Sequence, residues 1–152
     1  MRQADRDEVM AATGHTPHQA LRLSLEKSDM AWTGFADGVA TVMFGAGTLN
    51  ALNRIGAPWL LGTDGVKTHY RVFLRSSLLW KSHLMSNYDE LMNMVDDRNV
   101  VSKRWLSWLG FTLEEPVIAG VEQIPFRRFT LKARDDFRIS IPLSQNEADK
   151  HV

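Results

Sequence analysis

Asp96 and Asp97 stand side by side where a short apolar run, Leu91 to Val95, meets a polar turn, and Asn99 opens the amphipathic stretch that follows. Two adjacent carboxylates could divide acid and base work between them. Acids just ahead of a helix are also favourable with its dipole, so the pair has a structural use as well. His15 and His18 lie three apart near a helix start; a metal site would need further ligands, so no metal is expected. Arg127 and Arg128 fall in an alternating run and so point to opposite faces. One could reach a groove, while a solvated edge strand accounts for both more plainly. Tyr70 and Tyr88 are the only tyrosines, and both read as packing residues. Cysteine is absent, which removes thiolate catalysis, disulfides and Cys-ligated zinc and fits a reducing compartment.

The scaffold that must position these groups is expected to be one domain. A chain of 152 residues is long enough to bury a core without a disulfide or metal staple. With 44% hydrophobic and 24% charged residues the composition is that of a globular protein, and five Trp and seven Phe supply large rigid core groups. Eighteen basic residues balance eighteen acidic ones, so the basic excess of a nucleic-acid footprint is missing. The opening MRQADRDEVM is too polar for a signal peptide, and no apolar run approaches the roughly 20 residues of a membrane helix, so neither nucleic acid nor membrane is an expected partner.

Along the chain, Ala4 to Ala12 reads as a helix with Val9 and Met10 as its apolar contacts and Gly14 as C-cap. Thr16 caps a second helix with Pro17 at its first position. Ala31 to Ala36 and Val39 to Phe44 form a hairpin around Asp37-Gly38, a pair that tolerates positive φ. Residues 45–56, rich in Gly and Asn, read as a loop, and Pro58 to Thr63 as a short buried strand. The longest helix is expected over Val66 to Met85, with Val66, Tyr70, Phe73, Leu74, Ser77, Leu84 and Tyr88 near one face. Leu91 to Val95 is a strand, Asn99 to Leu109 a helix ended by Gly110, Phe111 to Leu113 a strand, Pro116 to Gln123 a loop, and Phe126 to Leu131 a final strand. Residues 132–152 read as an arm or tail. Strand–helix–strand units beside a hairpin imply an α+β fold with a central mixed sheet flanked by helices.

The strand LMNMV, the turn DDRN and the run RWLSWLGF (Arg104 to Phe111) resemble the C-terminal half of the GNAT acetyltransferase fold, in which a strand, an Asn-containing turn and a helix ending in LGF precede the next strand. With QADRDEV (Gln3 to Val9), LLGTD (Leu60 to Asp64) and PFRRFTL (Pro125 to Leu131), the chain is similar over residues 1–131 to the small GNAT-like proteins of short-tailed phages, the family of internal virion protein A.

That resemblance implies a phosphate cradle at GTDGVKTHYR, where a GNAT enzyme holds the CoA diphosphate on consecutive backbone amides at a helix N-terminus. Gly62, Gly65 and Lys67 are then the cofactor-binding candidates, together with Asn99 at the turn where the family touches its cofactor. The glycine spacing departs from the family pattern, and Asp64 puts a negative charge in the cradle that Lys67, His69 and Arg71 could offset. Asn99 is more simply explained as a helix cap. The family's general-acid Tyr has no counterpart, since Trp105 and Trp108 occupy that helix, and the general-base candidates are Glu114, Glu115, Asp96 and His83. Two functions follow. One is a virion or virion-assembly protein without efficient catalysis or a cofactor, acting through contacts with other phage virion proteins or itself, in the virion or host cytoplasm. The other is an acetyl-CoA-dependent N-acetyltransferase acting on an amine of a host protein or small molecule. The turn at Gly62 to His69 discriminates: amides converging on an anion would favour the enzyme, and Asp64 filling that space the scaffold.

Overall fold

The computed structural model describes residues 1–134. Residues 135–152, which hold nearly all of the expected arm, lie outside the described residues. The first helix, α1 (Gln3–Thr13), ends in the left-handed Gly14, and α2 (Pro17–Glu26) opens with a capping box in which Thr16 and Gln19 each bond the other's backbone amide. Strands β1 (Met30–Ala36) and β2 (Val39–Asn50) meet at a two-residue turn whose residues, Asp37 and Gly38, both have positive φ. Then come β3 (Ile55–Gly62), the single turn α3 (Gly65–Thr68), α4 (Tyr70–Asn87), β4 (Glu90–Asp96), α5 (Val100–Leu109), β5 (Thr112–Leu113), β6 (Val117–Ala119) and β7 (Ile124–Lys132). These seven strands form one mixed sheet in the order β1-β2-β3-β4-β7-β5, with β6 also on β7.

Four expectations need correction. The Gly- and Asn-rich stretch after Phe44 is strand rather than loop, because its glycines serve close approach: a Cβ on Gly45 would meet the Met30 carbonyl at 2.5 Å, and one on Gly47 would collide with the Lys27 carbonyl. The long helix is interrupted at His69, whose φ of −108° and ψ of 29° are not helical. Within the expected loop at Pro116 to Gln123, β6 pairs with β7. On α1 the expected contact at Met10 is exposed, whereas Val9 is half-buried and Asp5 and Ala11 are buried.

Helices cover both faces of the sheet. Trp59 donates to the Ser28 hydroxyl at the end of α2, whereas its neighbour Leu60 lies in a cavity wall with Trp80 of α4. The main core lies beneath α4 and α5, where Leu84, Leu91, Leu109 and Leu131 are almost fully enclosed. Lys81 of α4 is buried and donates to the Leu109 carbonyl at 3.0 Å, satisfying a helix C-terminus with a cation.

One junction in the sheet is incomplete. β3 and β4 run parallel but pair only at Ile55–Glu90 and Gly56–Leu91, then diverge. Pro58 sits where pairing stops. Its carbonyl faces β4 and accepts from the Asn93 side chain at 2.8 Å, so the N–H that proline lacks would have faced β4 too. A missing ladder donor at that position lets the strands part.

Candidate functional site

The parted strands open onto a cavity of about 1010 Å³, lined by β3 and β4 and by side chains of all four long helices. Its walls are largely apolar and aromatic, with Trp59, Phe73, Trp105 and Phe129 among them. The polar groups gather at the C-terminal ends of the two strands, where α1 crosses them.

Asp5 and Glu8 lie one turn apart on α1 and therefore share a face. Asp5 is buried. Arg2 binds it with Nε at 3.0 Å and Nη2 at 2.6 Å, and the Gly62 amide at the end of β3 donates to it at 3.0 Å. The Arg2 amide in turn donates to the Gly62 carbonyl at 2.8 Å, so the start of α1 is clamped to the end of β3. Glu8 reaches the other strand. Its carboxylate accepts from Asn99 Nδ2 at 3.0 Å and from the Asp96 backbone amide. Asp96, buried just behind, is held by Arg98 through Nη2 at 2.6 Å and Nε at 3.1 Å.

Three carboxylates thus meet in the gap, and two have an arginine each. Glu8 has none. Burial pushes its carboxyl up to about 7, outweighing the Asn99 and Asp96 hydrogen bonds, and the negative charges of Asp5 and Asp96 add to the rise. An acid poised near neutrality in an apolar cavity can take a proton from a bound group and return it.

The structure brings Asp96 and Asn99 to this centre. Asn99 is also the N-cap of α5, accepting from the Ser102 amide at 3.2 Å, so one side chain caps the helix and donates to Glu8. Lys67 lines the cavity mouth, whereas His83 is exposed on α4 and packs edge-on to Trp32, 5.3 Å between ring centres. Glu114 pairs with Arg128 at 2.9 Å, and Glu115 is exposed; neither lines the cavity. Arg127 holds Asp97 at 2.6 Å together with Lys103, and these partners keep the Asp97 carboxyl below its ordinary range. Tyr88 is buried against Gly56 and donates to Asp29, and Tyr70 is half exposed. Among the described residues no group of three or more His, Cys, Asp or Glu is placed to hold a metal ion.

Glu8, Asp5 and Asn93 were missed by sequence reasoning. The available signal was QADRDEV itself: two acids at i,i+3 on a helix with few apolar residues suggest that the polar face is the buried one. Their partners lie 57 and 91 positions away, however, and no local pattern reveals those.

Acetyl-CoA, the cofactor the resemblance implies, is tested by the turn after β3. The Gly62 amide is taken by Asp5, that of Thr63 by the Thr41 carbonyl, Gly65 by Thr63 Oγ1, Val66 by the Thr63 carbonyl, Lys67 by the Asp64 carbonyl and His69 by the Gly65 carbonyl. Space is closed too, since a Cβ at Gly65 would lie 3.1 Å from Thr41 and one at Gly62 3.2 Å from Val66. These glycines serve packing, and the turn does not fit a diphosphate held on backbone amides. Asp64 does not fill that space either: it is exposed and pairs with Lys67 at 3.2 Å. Arg2, Lys27, Lys67 and Arg98 line the cavity as side-chain cations.

No family model matches the chain, and no curated protein sequence matches it. Solved structures do. A probable acetyltransferase aligns with a TM-score of 0.61 at 12% identity, covering 78% of this chain and 70% of that one. Aminoglycoside acetyltransferase AAC(6')-Ib, in complex with coenzyme A, gives 0.59 at 8%, covering 77% and 73%. A spermidine N-acetyltransferase from Vibrio cholerae, in a dodecameric structure, gives 0.57 at 14%, covering 73% and 68%. At such identities the likeness is one of fold, and the fold is that of the GNAT acetyltransferases.

Proposed function

We propose that this chain is an N-acetyltransferase whose acceptor amine enters the gap between β3 and β4 and whose base is Glu8. The observation that carries the reading is the uncompensated Glu8 carboxyl, raised to about 7, in the wall of a largely apolar cavity within an acetyltransferase fold. An ammonium group beside Asp5, Glu8 and Asp96 is attracted electrostatically, and Glu8 in its ionised form takes the proton that frees the nitrogen lone pair. Asn99 and the Asp96 amide fix the carboxylate, while the aromatic walls exclude water. Acetyl-CoA, when bound, would supply the acyl group as a thioester. Lys67, Arg98 and Lys27 are the cations that would face its phosphates, in place of the turn amides.

The reading is tested by calorimetric titration of acetyl-CoA with Lys67→Ala as control, followed by an amine panel with Glu8→Gln. Micromolar binding, weakened in the control, is expected. With an acetylated product in hand, kcat/KM should rise with pH and level off above about 7, and Glu8→Gln should lower kcat by roughly 10²- to 10⁴-fold. No heat and no protection against unfolding at millimolar acetyl-CoA would sink the proposal.

A second reading is favoured by the occupied turn amides: a GNAT-fold scaffold without efficient catalysis that acts through protein contacts. The sequence resemblance would place such a scaffold among phage virion or virion-assembly proteins. Its test is copurification with virion proteins in the absence of any acetyl-CoA binding.

A further inference from the structure

Beside the main cavity lies a smaller one of about 230 Å³, between the β1–β2 hairpin and α4. Leu60, Val66, Phe73 and Trp80 line both, so one wall separates the two spaces. No Lys, Arg, Asp or Glu lines the smaller cavity, and its one imidazole, His69, faces Asp37 at 3.4 Å. Phe35 and Val72, both lining it, are 67% and 66% exposed, and large apolar groups left in solvent around an apolar recess mark a surface that something apolar covers.

We propose that this second cavity is a binding site for an aliphatic acyl chain, so that the transferase accepts donors with acyl groups longer than acetyl as well as acetyl-CoA. The assignment of the occupant rests on the acyltransferase reading; the affinity of the site for an alkyl amide does not. A dry apolar cavity of about 150 Å³ takes up benzene, so this one has room for a chain of roughly six carbons. Only the acetyl end of a short donor would stay in the gap near Glu8. A longer chain reaches the hairpin side only by displacing the side chains of the shared wall, Leu60 and Phe73, beyond which Val42 and Phe44 close the recess.

Two measurements test this on the full chain. Hexanamide, a neutral probe with no CoA portion, is titrated while the methyl resonances of Val42 and Val72 are followed by NMR, since those two valines line the second cavity alone. Hexanoyl-CoA and acetyl-CoA are compared by calorimetry. Ser76→Phe fills the recess from α4 and Val42→Phe from β2, so a folding failure in one leaves the other. The expected result is saturable hexanamide shifts in the wild type, lost in both variants, and hexanoyl-CoA binding about tenfold tighter than acetyl-CoA. Acetyl-CoA binding with no hexanamide response overturns this site and leaves the transferase reading standing. Hexanamide binding with neither thioester bound keeps the site and removes the transferase reading. Silence from all three ligands overturns both.

Discussion

The two ends of the β3–β4 junction are built from the same pair of strands and do opposite things. At the closed end Ile55 and Gly56 pair with Glu90 and Leu91, and the Tyr88 ring lies so close over Gly56 that a Cβ there would sit 2.7 Å from it. Arg54's carbonyl takes the amides of Asp89 and Glu90, and Asp29 takes the Tyr88 hydroxyl. Each group there is matched to another in the chain. Beyond Pro58 the backbone groups of the two strands no longer meet, and side chains replace them: Asn93 across the middle, then Asp5, Glu8, Asn99 and the arginines at the far end. A sheet seam closed by main-chain bonds holds the fold. One bridged by carboxylates leaves room for a ligand and shifts a pKa, at a cost in stability that the closed end must offset.

The largest expected effect breaks the closed half. Leu84 is fully enclosed under the sheet, so Leu84→Ala should destabilise by about 3 to 5 kcal/mol in urea unfolding. Ligand binding per folded molecule should be unchanged. A loss of affinity at full folding would show that the two ends are not separable.

Next is the clamp. Asp5→Ala leaves Arg2 without its carboxylate and the Gly62 amide without an acceptor, and should cost about 2 to 3 kcal/mol. Unlike Leu84→Ala, it should also free the Gly62 amide, so that inorganic pyrophosphate gains affinity at the turn. A stability loss without any gain for pyrophosphate would reduce Asp5 to a structural tie.

The contrast also sets what was legible in the sequence. Caps and turns are local chemistry, so Gly14, Thr16-Pro17, Asp37-Gly38, Asn99 and Gly110 placed the element ends within a residue or two. Glycines were misread after Phe44 because a close approach of strands and a loop favour the same residue, and only the neighbouring Met30 and Lys27 carbonyls tell them apart. The general fold came from the order of strands and helices together with RWLSWLGF. The site was half legible. Asn99 and Asp96 lie on the element that carries the resemblance, whereas Glu8 acquires its character from burial against that element, which is a property of the assembled tertiary structure and of no short window.

Glu8 gives the pH test. Its folded pKa, about 7, lies above the ordinary value of 4.5. The ionised form is therefore penalised by folding: Glu8's own contribution to stability is greatest below about 4.5, falls as pH rises toward about 7, and is flat above. Glu8→Gln keeps an acceptor for Asn99 and removes the charge. It should match the wild type at pH 4.5 and exceed it at pH 8 by at most about 3 kcal/mol. Parallel stability curves for the two proteins across that range would mean that Glu8 titrates like a surface acid, and the open end would lose its claim to be a chemical site.

The smallest effect decides where the open end meets anions. Asp64 and Lys67 form an exposed pair at the mouth, 3.2 Å apart, with side chains 74% and 76% accessible. Such pairs contribute at most about 1 kcal/mol and are screened by salt, so Asp64→Asn should move the unfolding midpoint barely at all. Its consequence lies in charge: the turn loses the one acid that opposes a phosphate, and Lys67 is released. If the diphosphate of a CoA thioester is met by side chains at this mouth, Asp64→Asn should tighten acetyl-CoA binding a few-fold at low salt, and Lys67→Ala should weaken it by a similar factor. Both effects should shrink together as salt is raised. Changes in neither would mean that the cations of this mouth serve only their acidic neighbours, and the phosphate end of any such donor would have to lie elsewhere along the cavity, toward Lys27 or Arg98.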